Sequence, residues 1–571
     1  MKLKFSELTT LADLLVYLSW QESNKNFTNF LNNGDWVSHS TKIFLTKTFI
    51  LAKNLKKLGV KKGDKIAIFS DSSPYWLVCD LACQLVGAIS VPMFTNIADE
   101  NLKYQLQDCQ AKYAFVIGSN KWQILKPHVK NFECIITHDF KIRQEKARNL
   151  SDLMNSEKHY ELNFNQFAKH IKADDIATII YTSGSTGKPK GVVLTQRNLI
   201  SQIKDTAKTF TLTKDDVVLS YLPLAHIFER MVMYFYLSKN LSIYFADDVL
   251  NVANLLQEVK PTVLTTVPRL LEKIYGKINL KIADAPFAKK IIAVPALWYA
   301  KNIAINIAPK IPVKRLFQKL IYNRLLKVMG GNIRLMISGG AALDTDINRF
   351  FTNVGLPIME GYGLTEAAPV IAANAPNAYK FASVGKVFPS VEVKISESGE
   401  ILAKGPNIMH SYYNDSKATD DVLKNKWLYT GDMGHLDDEG FLFITGRIKE
   451  LQKTSNGKYV PTIILENKLK QISLADNALV IADGKKFVSA IIFPDYKLVK
   501  EQKLNLKALD EYFSAEIDKV NKNFNHWEKI QRFILAKNEA TISNGEMTPS
   551  MKLRRYKIME NYSKQIEKIY Q

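Results

Sequence analysis

The sequence predicts an α/β protein. A large N-terminal part, built of several subdomains with mostly parallel sheets, should precede a smaller α+β C-terminal domain. Three observations carry this. The chain has 571 residues, too many for one ordinary core. Short apolar runs alternate with helical patterns at strand–helix–strand spacing, which favours parallel sheets. Glycine-rich turns follow several of the apolar runs, and open parallel sheets bind ligands at such strand ends.

Composition narrows the class. Hydrophobic residues make up 46%, ordinary for a soluble globular chain. Lys and Arg number 77 against 56 Asp and Glu, a net charge of +21. Such a balance suits nucleic acid, an anionic membrane surface or an acidic substrate. The excess reads as spread over the chain, without the basic, aromatic-laced cluster of a nucleic-acid binder. Nucleic acid is therefore not an expected partner. Cys79, Cys83, Cys109 and Cys134 stand apart from any His/Cys cluster and read as reduced core thiols. The start of the chain has no apolar signal-peptide core. The greasiest stretch, 76–94, is broken by Asp80, Gln84 and Pro92, so it is not a membrane span. A cytoplasmic setting is expected.

Taken in order, residues 1–60 read as an amphipathic entry region. Strands are expected over 65–70, 87–92, 114–117 and 134–137. A helix should run from Ser73 and Pro74 to Leu85, with proline in its first turn. Residues 139–170 are polar and read as an irregular surface link. Strands at 176–181 and 192–195 then bracket Thr182, Ser183, Gly184, Ser185, Thr186, Gly187, Lys188, Pro189, Lys190 and Gly191. Backbone N–H groups, hydroxyls and lysines in such a loop can converge on phosphate. Most clusters of this composition are plain turns. This one is not a Walker A loop, because only Ser185 and Thr186 separate Gly184 from Gly187.

Thr195 is a good N-cap for a helix to about 210. His226 follows Pro223 and precedes an apolar helical run, where a core histidine is the plain alternative. Glu229 and Arg230 read as pairing with each other or with the scaffold. A strand at 261–267 leads into a helix with Arg269 at its start. Residues 275–329 form a long lysine-rich helical insertion, suited either to an anionic membrane surface or to a solvated cover. The strand at 333–338 ends in Gly339, Gly340 and Ala341. The strand at 355–359 ends in Glu360, Gly361, Tyr362, Gly363, Leu364, Thr365 and Glu366. Two such ends make a flat slot for a planar base, with the Tyr362 ring for stacking. Glu366 offers oxygen to a hard cation such as Mg²⁺. Asp432, beside a glycine turn, can receive two ribose hydroxyls. Arg447 can fix the same sugar or the phosphate side. Strands at 479–481, 487–492 and 534–535, with helices over 505–530, build the C-terminal domain. Lys552 stands in a basic tail.

These stretches, in this order and over about residues 8–570, resemble the adenylate-forming (AMP-binding) superfamily. Residues 219–230, Val267-Pro268-Arg269 and the 275–329 insertion resemble its long-chain fatty acyl-CoA synthetase branch. The resemblance implies ATP and Mg²⁺ as cofactors, a long-chain fatty acid as substrate, and CoA or an acyl carrier protein as acceptor. Peripheral contact with an anionic membrane at its cytoplasmic face is part of the same expectation. The alternatives are an acyl-carrier-protein synthetase, a ligase for an aryl or branched acid, and a non-enzymatic membrane or nucleic-acid binder that kept the fold, which the intact loop, magnesium, ribose and lysine motifs argue against. The implied layout is 1–446 for nucleotide and acyl binding, and 447–571 as a mobile domain with its hinge near Lys449. The implied catalytic residues are Lys552, His226, Thr365 and Glu366, with Glu366 the metal ligand. Thr182 to Lys188 would close over phosphates. Gly339, Gly340, Ala341, Glu360, Gly361, Tyr362 and Gly363 would border the adenine. Asp432 and Arg447 would hold the ribose, and Gly457 and Lys458 would belong to the thioester-stage loop. Ser550 and Met551 depart mildly from the family's form before the lysine.

Overall fold

The computed structural model describes residues 2–140, 146–156, 161–182, 188–303, 312–448, 451–548 and 551–571. Two large sheets form the N-terminal part. The first has nine strands, in the order Lys386–Val387, Val370–Ala373, Ile358–Gly363, Leu335–Ser338, Val263–Thr266, Val217–Ser220, Ser242–Phe245, Thr28–Asn32 and Asp35–His39. Its interior neighbours are parallel and its edge strands antiparallel. The second has eight strands, from Ser411–Tyr412 through Lys190–Thr195, Ile176–Thr182, Ile89–Met93, Lys65–Phe69, Tyr113–Ile117 and Cys134–His138 to Ala147–Asn149. Five of its pairings are parallel. Central strands such as Val263–Thr266 and Leu335–Ser338 are buried throughout, as strands covered on both faces must be.

The helices between the sheets explain the near-continuous apolar runs. Ser73 accepts a hydrogen bond from the Trp76 N–H and caps Pro74–Val86, where all but Tyr75 is buried. All twelve residues of Ile227–Ser238 are buried. A helix apolar all round has no solvent face and belongs in the middle of a large domain. Thr195 caps Gln196–Thr209 by accepting from the Asn198 N–H. All four cysteines are free and buried.

Three regions depart from the sequence reading. The entry region holds a β-hairpin, Thr28–Asn32 with Asp35–His39, turning on Asn33 (φ 53°) and Gly34 (φ 90°). An Asn-Gly pair is a strong hairpin signal, and here it forms the turn. The 139–170 link is not merely surface: Leu150, Met154, Phe164 and Phe167 are buried, the last two against the Phe49 ring. A third, wholly antiparallel sheet of five strands spans Glu392–Ile395 to Leu442–Arg447. The hairpin-like turn at 434–440 and the strand at 441–445 are legible in the sequence, and the other strands of this sheet are not.

The insertion is helical as expected, with Pro268–Ala283 and Phe287–Asn302 its longest helices. Ala293, Ala296 and Ala300 are buried where Phe287–Asn302 packs on Thr345–Val354. The C-terminal domain has the three-stranded sheet Ala475–Ile481, Val488–Pro494 and Ile530–Leu535 with its own apolar core. It is an α+β unit with one antiparallel and one parallel pairing.

Candidate active site

The site gathers at the ends of strands from all three sheets of the N-terminal part. Ile176–Thr182 and Lys190–Thr195 pair antiparallel, with Thr182 opposite Lys190. The expected phosphate loop thus hangs from a hairpin base. Thr182 is half-buried there and Lys188 is exposed; Ser183, Gly184, Ser185, Thr186 and Gly187 lie outside the described residues. Lys190 places its ammonium 4.9 Å from the Tyr412 ring centroid. The Tyr412 hydroxyl donates to Glu366 Oε1 at 2.7 Å, and the Met409 N–H donates to the Glu366 carbonyl at 2.8 Å. Tyr412 therefore bridges the loop's base to the expected metal ligand. Nothing in the linear pattern around Tyr412 announced it, because its partner lies in a different sheet.

Thr365 and Glu366 open a single 3₁₀ turn at Thr365–Ala367, directly after Ile358–Gly363. Gly363 is needed for packing: a Cβ there would collide with the Pro369 carbonyl oxygen. Gly361 is different, since a Cβ would meet only ordinary contacts, the nearest at 3.8 Å. The Glu360 carboxyl turns inward. It is buried, accepts from Asn348 Nδ2 at 2.7 Å, and is pushed up to about 7, chiefly by burial. The expected nucleotide contact at Glu360 is thereby limited to its backbone.

The neighbouring strand end carries Gly339, Gly340 and Ala341, the last two exposed. A Cβ at Gly339 would lie 2.8 Å from the Phe228 ring, so the start of the His226 helix presses on this turn. Gly340 has φ 81°, a left-handed conformation natural to glycine. His226 is the N-cap, its Nδ1 accepting from the Phe228 N–H at 3.2 Å. Burial, and then the Lys552 ammonium, push its imidazole down to about 4. The second cause crosses between domains: the C-terminal domain places the Lys552 charge within electrostatic range of His226. Lys552 sits in a tight turn, with its N–H donating to Thr548 Oγ1 at 3.0 Å and the Thr548 N–H donating to its carbonyl at 2.7 Å.

Tyr362, Asp432 and Arg447 form one cluster. The Tyr362 hydroxyl donates to Asp432 Oδ2 at 2.7 Å, and Arg447 Nε lies 2.7 Å from Asp432 Oδ1. Strand pairing fixes this, since Asp432 and Arg447 face each other in register. Burial and the Asp432 charge raise the Tyr362 phenol, so it remains a donor. Lys449 lies outside the described residues. Gly457 and Lys458 are not brought to these groups. They occupy an exposed turn within the C-terminal domain, Lys458 lying 5.3 Å from the Trp527 ring centroid.

Beneath the site runs a charged core in which Glu229 and Arg230 pair with the scaffold, one of the two arrangements the sequence left open. Arg230 and Asp80 are fully buried and ion-paired. Arg230 also donates to Thr178 Oγ1 and Ser90 Oγ, both at 2.7 Å. Glu229 does not pair with Arg230; it accepts from Ser220 Oγ at 2.6 Å and is pushed up to about 8 by burial. The arginine thus ties the His226 helix to the strand that ends in the phosphate loop.

Residues 20–413 match the family model described as AMP-binding enzyme, and residues 451–571 match the AMP-binding enzyme C-terminal domain. The chain is 32% identical to long-chain-fatty-acid–CoA ligase FadD15 of Mycobacterium bovis, over 95% of this chain and 93% of that one. It is 28% identical to long chain acyl-CoA synthetase 3 of Arabidopsis thaliana, over 91% and 85% respectively. Among solved structures, the adenylation domain of a carboxylate reductase from Mycobacterium chelonae superposes with a TM-score of 0.80 at 19% identity, covering 98% of this chain and 91% of that one. The chain belongs to the AMP-binding enzymes, ATP-dependent and AMP-forming ligases that activate an acid as its adenylate.

Proposed function

We propose that this enzyme is a long-chain fatty acid–CoA ligase. The observation that carries the reading is the Lys552 ammonium, which the C-terminal domain brings within electrostatic range of His226, the cap of the helix whose Phe228 ring packs on Gly339. In the first half-reaction a fatty carboxylate oxygen attacks the α-phosphorus of ATP. The bond from that phosphorus to the bridging oxygen breaks, and pyrophosphate leaves. In the second half the CoA thiolate attacks the acyl carbonyl carbon, the bond to the AMP oxygen breaks, and AMP leaves. Both nucleophiles belong to substrates, so the protein's work is positioning and charge stabilisation.

Lys552 is assigned the carboxylate and α-phosphate. Thr365 is assigned the α-phosphate, and neutral His226 the wall between nucleotide and acyl chain. The Tyr362–Asp432–Arg447 cluster is assigned the ribose side. Residues 182–188 are assigned the outer phosphates, and Gly339 to Ala341 with Gly361 and Gly363 the adenine edge. Glu366 suits Mg²⁺ as a hard oxygen donor, the rest of the shell coming from phosphate and water. Bound there, the ion neutralises charge on the phosphate oxygens. Lys449 is assigned the hinge, in a chain divided near residue 446. Gly457 and Lys458 are assigned to the second half, after rotation; their distance from the site in this orientation suits that assignment.

The long-chain assignment draws on the curated relatives' names and on the 275–329 helices. Each buried methylene contributes about 0.8 kcal/mol, so efficiency should rise steeply with chain length until the site is full. The test supplies ATP, Mg²⁺ and acids from C2 to C18, comparing CoA with holo-carrier protein as acceptor. AMP and pyrophosphate should form, with preference for roughly C12 to C18 and with CoA as acceptor. A profile that is flat or falls with length overturns the long-chain reading. Thioester on the carrier alone replaces CoA as the acceptor.

A further inference from the structure

The net positive charge is not evenly spread, as the sequence reading had it. Residues 275–329 carry eleven Lys and Arg against the single acidic Asp284, so about half of the net +21 sits in a tenth of the chain. The same segment exposes a run of large apolar side chains on one helix. Along Phe287–Asn302, Phe287 is 80% exposed, Ile291 60%, Val294 52% and Trp298 61%. Steps of four, three and four residues put them on one face. The opposite face carries Ala293, Ala296 and Ala300, all buried. The ridge is thus held outward by a helix firmly packed beneath it.

Its surroundings indicate what it meets. Beside the ridge lies a groove of about 560 Å³ between this helix and Pro268–Ala283. Tyr275 and Ile282 line it together with Val294 and Trp298 of the ridge itself, and so do Lys290 and Lys301. Apolar residues projecting outward between lysines match an interfacial helix, whose rings and aliphatic chains enter the acyl boundary while ammoniums meet lipid phosphates. A polyanion such as nucleic acid would satisfy the lysines and leave the ridge in water. No helix among the described residues is long and apolar enough to cross a membrane, so contact here would lie along the surface.

We propose that the Phe287–Asn302 ridge, with its flanking lysines, docks the enzyme on an anionic phospholipid bilayer. The full-length protein is to be sedimented with vesicles of phosphatidylcholine alone, and of phosphatidylcholine with phosphatidylglycerol, at low and raised salt. Binding should be at least tenfold tighter on the anionic vesicles and should weaken with salt. Phe287→Ser combined with Trp298→Ser should lose at least tenfold on the same vesicles. Lys290→Gln combined with Lys301→Gln should weaken the anionic preference. Brominated lipid should quench native fluorescence more than that of Trp298→Phe. Melting temperature and adenylation of a soluble short acid should be unchanged in all variants, which separates docking from the ligase reading. Any of four results overturns the proposal: no vesicle binding, equal binding by the native protein and the serine variant, preference for duplex DNA, or a ridge-dependent dimer that leaves vesicles alone.

Discussion

At the scale of single residues, two side chains make the sharpest claims. The Lys552 charge acts on His226 from a different domain, and under the proposed function its ammonium would meet the α-phosphate only in that orientation. Lys552→Ala should therefore slow pyrophosphate exchange by about 10²–10³, yet leave thioester formation from supplied acyl-adenylate largely intact. Equal loss in both assays would make the lysine structural. Glu229 predicts a pH effect. Burial lifts it from 4.5 to about 8, so the folded state holds a proton that the unfolded state has released. Its stabilising contribution is complete below the unfolded value and is lost as pH rises through about 8. His226, pushed down instead, acts on the acid side and is common to both proteins compared. Glu229→Gln should flatten the fall in melting temperature between pH 5 and 9. An unchanged slope would show that the carboxyl is ionised in the fold. Glycine turns beside charged groups marked the neighbourhoods of Glu366, Tyr362 and Asp432 in the sequence, whereas Lys552 stood out only through the resemblance to the family. Tyr412 and Asn348 escaped because each acts through a partner on another element.

Elements were legible where periodicity, caps and turns agreed. The Pro74–Val86 and Gln196–Thr209 helices start at their Ser73 and Thr195 caps. Most of the antiparallel sheet of 392–447 was obscure because its short strands alternate buried and exposed positions and resemble polar loop. Asp80 gave the least warning. It interrupts an apolar helix, and its reason is Arg230 on another helix, with Trp76 and Tyr234 beside the guanidinium. Removing one member of a buried pair leaves the other uncompensated. Arg230→Met should cost about 3–5 kcal/mol in urea denaturation. Replacing both, with Asp80→Leu, should cost clearly less than the sum of the single changes, because no orphaned charge remains. Strict additivity would mean that solvent already reaches the pair. The same arginine holds Thr178, on the strand that leads into the phosphate loop. Arg230→Met should therefore also raise the KM for ATP in protein that remains folded.

At the scale of the whole molecule, the question is what holds the C-terminal domain where Lys552 meets His226. Several of the contacts there are ionic. Arg269 pairs with Asp476, and Lys273 lies 3.6 Å from the same carboxylate. Lys468 lies 2.9 Å from Asp344 and 3.2 Å from Asp346. One group grips the start of the helix after Val267; the other grips the turn just beyond Gly339 to Ala341. Sequence could read Arg269 only as a helix-start residue, because its partner stands in the other domain. Such half-exposed pairs contribute up to about 1 kcal/mol each, and about 1.4 kcal/mol shifts a two-state equilibrium tenfold. The clamp is therefore strong enough to bias an orientation and weak enough to release it. Asp476→Lys sets like charges against Arg269 and Lys273. It should slow pyrophosphate exchange severalfold while leaving thioester formation from supplied adenylate unchanged or faster. Arg269→Glu added to Asp476→Lys restores an opposite-charge pair and should recover part of the first half-reaction. Raised salt should act on the native enzyme in the direction of Asp476→Lys. If Asp476→Lys lowers both half-reactions equally, or if the second change brings no recovery, the ion pairs do not set the orientation and the apolar contacts between the domains must.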